Sequence, residues 1–262
     1  MDLQLQGKTA LVLASSKGIG KATALKFAEE GAQVMITSRN EAALKKAAQE
    51  IEEKTGSRVA YQVCDITKGE QITQLVEKTV EQFGRLDILV NNAGGPPAGN
   101  LTDLTDEDWF EAFELTLLSI VRTVRAVLPY MKEQKGGRIV NVASSSFKQP
   151  IDQLILSNTF RTGIVGLAKS LSQELAPHHI LINTVGPGQI ATDRLLEINQ
   201  MKAEAQGISA EEALKKAEST IPLGRIGTAE EFAKVLVFLC SEANSYVTGQ
   251  ALLVDGGLIK SL

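Results

Sequence analysis

The stretch Thr9-Ala-Leu-Val-Leu-Ala-Ser-Ser-Lys-Gly-Ile-Gly20 decides the fold. Its first half, Thr9–Ala14, is apolar without a break, so it reads as a strand buried on both faces rather than one alternating between core and water. Small residues follow, then Gly18-x-Gly20, then an amphipathic run from about Gly18 to Glu30 that reads as a helix. A strand, a small-residue turn and a helix opening on two glycines form an anion site. Glycine lets the backbone approach a pyrophosphate, and the helix N-terminus offers free N–H groups and the positive end of a dipole. Ser16, Lys17, Gly18, Ile19 and Gly20 are therefore candidate dinucleotide contacts.

Outward from this junction the same alternation repeats. Apolar runs at Gln33–Thr37, Val59–Val63, Leu86–Val90, Arg138–Ala143, Ile180–Val185 and Gln250–Val254 read as six further strands. Helical patterns separate them: Glu41–Thr55, Gly69–Phe83, a pair at about Asp106–Leu115 and Leu117–Gln134, Gln153–Ala176, about Arg194–Ser219, and Ala229–Ser241. Strict alternation with no compositional break predicts one α/β domain, a doubly wound parallel sheet of seven strands. The segment about 193–220 follows a strand's C-terminal end; it reads either as a solvated helix pair or as a lid over a pocket.

Composition narrows the function. The 262 residues are 44% apolar and 22% charged, with a net charge of −4. That balance gives no electrostatic support to a nucleic-acid or anionic-membrane partner. No apolar run reaches the 18 or so residues that a membrane span needs. The N-terminus lacks a basic region followed by an apolar stretch, so a cytoplasmic protein is expected. Cys64 and Cys240 lie far apart in apolar runs, which suggests core thiols in a reducing compartment. His178 and His179 have no nearby cysteine, and no metal site is expected.

The second strand ends at Thr37-Ser38-Arg39. An acidic residue here would bind the ribose 2′-hydroxyl of NAD. Arg39, with Lys17 from the first turn, instead brings two cations to the adenosine ribose, which suits a 2′-phosphate and favours NADP(H) over NAD(H).

The chain resembles the short-chain dehydrogenase/reductase family along nearly its whole length, and within it the β-ketoacyl carrier-protein reductase subgroup. The resemblance rests on Ser16-Lys17-Gly18-Ile19-Gly20, Cys64-Asp65-Ile66, Asn91-Asn92-Ala93-Gly94, Gly137-Arg138-Ile139-Val140-Asn141-Val142, Pro187-Gly188-x-Ile190-x-Thr192 and Val254-Asp255-Gly256-Gly257. It implies a Rossmann-type sheet and a homotetramer or homodimer. It also implies that Asp65 and Ile66 flank the adenine, that Asn92, Ala93 and Gly94 line the adenine ribose and the crevice, and that Pro187, Gly188, Ile190 and Thr192 hold the nicotinamide end. Asn91 and Asn92 equally suit a structural tie between neighbouring strands. The family's first glycine is Ala14 here, which is tolerable provided its φ stays negative.

The family's catalytic pattern is altered. Its serine falls on Ser144, but its tyrosine position is Ser157, its lysine position Arg161 and its asparagine position Thr116. A phenol has a pKa of about 10, and an aliphatic hydroxyl is a far weaker acid. Serine is also shorter by a phenyl ring. Arginine can bind ribose hydroxyls but does not relay protons through a neutral form as lysine does. None of Tyr61, Tyr130 and Tyr246 is expected at a strand's C-terminal end. Lys148 and Asp152, in the loop after the fifth strand, could face the pocket or solvent. Two functions follow: an NADP(H)-dependent oxidoreductase acting on a carbonyl compound or acyl thioester by a non-standard proton path, or an inactive dinucleotide-binding sensor or partner subunit. The 193–220 segment and the loop Gly95–Gly99 are expected to frame the substrate pocket.

Overall fold

The computed structural model describes residues 1–261, with the side chains of Arg194, Ile198, Met201, Lys202 and Ala205 outside the description. Seven strands form one sheet: β1 Thr9–Val12, β2 Gln33–Ser38, β3 Val59–Val63, β4 Ile88–Asn91, β5 Gly137–Val142, β6 Ile180–Pro187 and β7 Ala251–Val254. Their order is β3-β2-β1-β4-β5-β6-β7, and every neighbouring pair is parallel. The expected doubly wound, single-domain Rossmann-type architecture is what the chain adopts.

Helices α1 Gly18–Glu29, α2 Glu41–Thr55, α3 Gly69–Phe83, α4 Asp106–Phe113, α5 Ser119–Glu133, α6 Ile155–Leu175, α7 Asp193–Gln206, α8 Ala210–Ser219 and α9 Ala229–Leu239 complete the fold. The period-2 geometry of a strand explains how they are sorted. Ala10 and Val12 of β1 point into one core with Phe27 of α1, Leu44 and Ile51 of α2, and Phe232 and Leu236 of α9. Leu11 and Leu13 point the other way, towards Ile72 and Leu75 of α3, Val124 and Val127 of α5, and Ile164 of α6. Both faces of β1 are thus dry, which is why its sequence is apolar without alternation. Gly56 and Gly84 end α2 and α3 in the left-handed conformation that glycine adopts most readily.

Two local expectations are corrected and a third is resolved. The two helices read at about 106–115 and 117–134 form one continuous path, joined by a π-helical turn at Glu114–Leu118. The segment at about 193–220 is a helix pair, α7 and α8, because Gly207 takes φ +63° and closes α7. Strand β6 runs two residues further than its apolar pattern, through Gly186 and Pro187. Gly186 is needed there, since a Cβ on it would come within 2.6 Å of Phe147 Cε1.

Candidate active site

Strand order reverses between β1 and β4, so the chain leaves their C-terminal ends in opposite directions and opens a crevice. The glycine turn lies on one side of it. A Cβ on Gly20 would overlap the Ala14 carbonyl oxygen and approach Ser15 Cα to 2.8 Å, so only glycine fits. Ser15 Oγ donates to the Val12 carbonyl (2.7 Å) and accepts from the Thr37 amide (3.0 Å), locking the turn to β2. Ala14 departs from expectation: its φ is +46°, not negative. Its Cβ therefore sits in a strained conformation that costs about 1–2 kcal/mol.

Asn40, Thr105, Thr192, Ser209 and Thr228 cap the N-termini of α2, α4, α7, α8 and α9 with side-chain oxygens. Helix α1, like α3, α5 and α6, has no such cap. Lys17 stands at its N-cap with no side-chain acceptor, and its first turn holds no acidic residue. Its leading N–H groups are left for an outside anion, beside a cradle that a single methyl would fill. These residues fit the pyrophosphate of a dinucleotide.

Arg39 is exposed just beyond β2. Lys17 is exposed too, but its ammonium is 2.8 Å from the Asp193 carboxylate, on the first residue of α7. Asp65, past β3, accepts from the Thr67 amide (3.0 Å) and hydroxyl (2.9 Å). Burial pushes its carboxyl up, but those two bonds and the charges of Arg39 and Lys68 outweigh that and hold it below the ordinary range. Ile66 beside it is buried.

At the end of β4, Asn91 is buried. Its amide donates to Asn141 Oδ1 (2.8 Å), and its own carbonyl oxygen accepts from the Thr123 hydroxyl (2.6 Å), tying β4 to β5 and α5. Asn92 donates to the Ala14 carbonyl (3.3 Å) and so bridges to the glycine turn. Ala93 is half-buried and Gly94 exposed.

The four catalytic positions lie next. Ser144 follows β5, and its Oγ accepts from the Ser146 amide at 3.1 Å. Ser157 is half-buried in the first turn of α6, which packs against the short turn Ser145–Phe147. Arg161 is one helical turn further, on the same face, and is only 5% exposed. Its Nη1 donates to the Val142 carbonyl (2.9 Å), and its Nη2 lies 3.5 Å from the Ala93 and 3.4 Å from the Gly94 carbonyl. Its Nε is buried without a hydrogen-bond partner. Burial pulls the guanidinium pKa down to about 10, which still leaves it charged at neutral pH. Arg161 thus clamps the end of β5 to the turn after β4 and forms the crevice floor, with Leu13, Asn92, Thr116 and Val142 around it. Thr116 is fully buried within the π-turn, and its hydroxyl is taken up by the Ala112 carbonyl.

On the opposite wall, Pro187 ends β6 and Gly188 passes Asp255, where a Cβ would come within 2.6 Å of Asp255 Cβ. Ile190 is buried and Thr192 caps α7. The Gly99 amide donates to the Gln153 carbonyl (2.6 Å), which draws the loop after β4 towards the start of α6. Tyr246 is 96% exposed, and neither Tyr61 on β3 nor Tyr130 on α5 lines the crevice. Both cysteines are buried thiols, as expected. Sequence reasoning missed Asp193 and the Val142 carbonyl, the partners of Lys17 and Arg161. Each pairing spans a long sequence separation and has no local signal.

A sequence profile described as enoyl-(acyl carrier protein) reductase matches residues 13–259. The chain belongs to the short-chain dehydrogenase/reductase family. Within the family it is 37% identical to the 3-oxoacyl-[acyl-carrier-protein] reductase FabG of Thermotoga maritima, over 98% of this chain and 100% of that one. It is 32% identical to the NADPH-dependent reductase BacG of Bacillus subtilis, over 97% and 99%. The crystal structure of L-sorbose reductase from Gluconobacter frateurii, complexed with NADPH and L-sorbose, superposes with a TM-score of 0.95 at 34% identity, covering 100% of both chains. All three of these short-chain dehydrogenase/reductase relatives are reductases by name.

Proposed function

We propose that the protein is an NADP(H)-dependent oxidoreductase that interconverts a carbonyl compound, either a ketone, an aldehyde or an acyl thioester, and its alcohol. The cradle at Gly20 beside the uncapped start of α1 carries this reading. The exposed cations Arg39 and Lys17 favour the 2′-phosphorylated cofactor, and the NADPH-dependent relatives support the same choice. Asp65 and Ile66 would flank the adenine, and Asn92, Ala93 and Gly94 its ribose. Pro187, Gly188, Ile190 and Thr192 would hold the nicotinamide.

The chemistry such a cofactor supplies is hydride transfer to the carbonyl carbon. The chain's own residues must then orient the carbonyl and deliver a proton to its oxygen. Ser144 suits the orienting role, because its lone pair accepts from Ser146 and its O–H is left to donate to the substrate. The Ser157 hydroxyl falls a phenyl ring short of where a tyrosine hydroxyl would reach, so a water would complete the proton path. Arg161 supplies positive charge beneath the site while its own donors hold the floor. Helices α7 and α8 act as a lid. Among the described residues the edge strand β7 pairs only with β6, and its Leu252 is partly exposed, which suits a homodimer or homotetramer. A cytoplasmic location fits the two reduced core thiols.

One observation favours a second reading, a nucleotide-binding sensor or partner subunit. Among the described residues no phenol lines the crevice floor around Arg161, and the bonded donors of Arg161 are committed to backbone carbonyls. NADPH oxidation measured across ketones, aldehydes and acyl thioesters separates the two. Turnover with at least one class is expected. Thermal stabilisation by NADPH with no turnover in any class would replace the enzyme with the sensor.

A further inference from the structure

Lys17 faces two anions. One is the 2′-phosphate that the proposed function assigns to it. The other is already in place: Asp193 Oδ2 lies 2.8 Å from the Lys17 ammonium. The pairing raises the lysine pKa, first through the hydrogen bond and then through the charge of Asp193. The same bond holds the Asp193 carboxyl below its ordinary value. The two residues are 176 positions apart, yet the segments that carry them touch. A Cβ on Gly18 would sit 3.4 Å from Thr192 Cγ2, so the glycine turn and the start of α7 pack side by side.

We infer that Asp193 is a specificity-determining residue. Its carboxylate competes with the cofactor's 2′-phosphate for the Lys17 ammonium, and so narrows the preference for NADPH over NADH. Two electrostatic effects act in the same direction. The ammonium must leave or share its carboxylate before it can meet the phosphate, and the carboxylate itself repels a phosphate held nearby. NADH has a hydroxyl where NADPH has the phosphate, so it does not compete for the Lys17 ammonium, and any repulsion between Asp193 and the pyrophosphate is common to both cofactors. Because Asp193 opens α7, arrival of the 2′-phosphate also removes one charged tie between the first turn of α7 and the glycine turn.

The inference rests on the proposed NADP(H) site, and the experiment separates the two. Binding of NADPH and of NADH to the full-length protein is measured by calorimetry at low salt, where exposed charges are least screened. Asp193→Asn is expected to tighten NADPH about 2- to 5-fold, the size typical of an exposed ion pair, and to tighten NADH distinctly less. Asp193→Ser should behave alike, which separates charge from any property of asparagine. In a Lys17→Ala background the gain from Asp193→Asn should shrink. Unchanged or weaker NADPH binding in both variants, or an equal gain for NADH, overturns the inference while leaving the cofactor site standing. A wild-type protein that binds neither nucleotide overturns both.

Discussion

The carbonyl of Ala14 occupies the space that a Cβ on Gly20 would need, and Ala14 itself stands at φ +46°. The two residues are opposite cases. Glycine is obligatory at 20 for space, whereas at 14 alanine is present where glycine suits the backbone. Ala14→Gly should therefore stabilise the protein. Relief of left-handed strain, about 1–2 kcal/mol, exceeds the roughly 0.5–1 kcal/mol that glycine's extra unfolded-state entropy costs. A net gain of about 0.5–1 kcal/mol is expected, read as a melting temperature higher by about 1–4 °C. Gly20→Ala should lose about 1–3 kcal/mol by overpacking against backbone. It should also abolish nucleotide-induced stabilisation.

Arg161→Lys restores the family's residue type but not this chain's contacts. One ammonium on a shorter stem cannot reach the Val142 carbonyl and the Ala93–Gly94 turn together, as the guanidinium does. Hydrogen bonds to charged groups contribute about 1.5–3 kcal/mol each. Partial loss predicts a destabilisation of about 1–3 kcal/mol in denaturant melts. The double variant Ser157→Tyr with Arg161→Lys should be less stable in the same way, yet faster in carbonyl reduction by about 100-fold, the lower end for a positioned general acid. A stable but slower double variant would show that the crevice no longer accepts a phenol.

Among the described residues the crevice floor around Arg161 holds no phenol, and serine stands at position 157, which sets the pH dependence. Arg161 has a pKa of about 10 when folded, below its ordinary value, because burial penalises its charge. Between those values the unfolded chain binds more protons, so the cost of burying the cation is fully present below the folded pKa and is lifted as pH rises through that window. Across the neutral range, from about pH 6 to about pH 9, its charge is constant. The wild-type kcat/KM for reduction should therefore be flat over that range. The Ser157→Tyr, Arg161→Lys variant should acquire a falling limb on the alkaline side as its phenol ionises. A wild-type profile with a steep limb near neutrality would point to a titrating proton donor that the proposed path does not contain.

Most of the sheet was legible because two-sided burial makes a strand apolar throughout, and that pattern is local. The glycine turn was legible for the same reason: its requirement is steric and lies within one short stretch of chain. What escaped the sequence was either a change of helical period or a contact across the fold. The π-turn at Glu114–Leu118 shifts the apolar phase by one residue, so a continuous helix reads as two around Thr116. The left-handed φ of Ala14 accompanies a turn whose carbonyl faces Gly20 and accepts from the distant Asn92, and no single residue type announces it. Arg161 matched the family's register, but its burial beneath the β4 and β5 ends depends on carbonyls that any sequence would supply.

The two cations assigned to the 2′-phosphate should not contribute equally. Arg39 is exposed and can offer its planar fork to a phosphate in two parallel bonds, whereas Lys17 enters the competition with Asp193. Arg39→Ala is expected to weaken NADPH by about 10- to 100-fold, the range for losing a charge-assisted contact of roughly 1.5–3 kcal/mol. Lys17→Ala should cost less, about 3- to 10-fold, because part of its attraction is already spent on the carboxylate. Neither substitution should alter NADH binding by more than about twofold. The loss from Arg39→Ala should fade as salt is raised, since the pair is open to solvent. Equal losses for NADPH and NADH would place Arg39 on the adenine or pyrophosphate instead, and the choice of NADP(H) would then need another source.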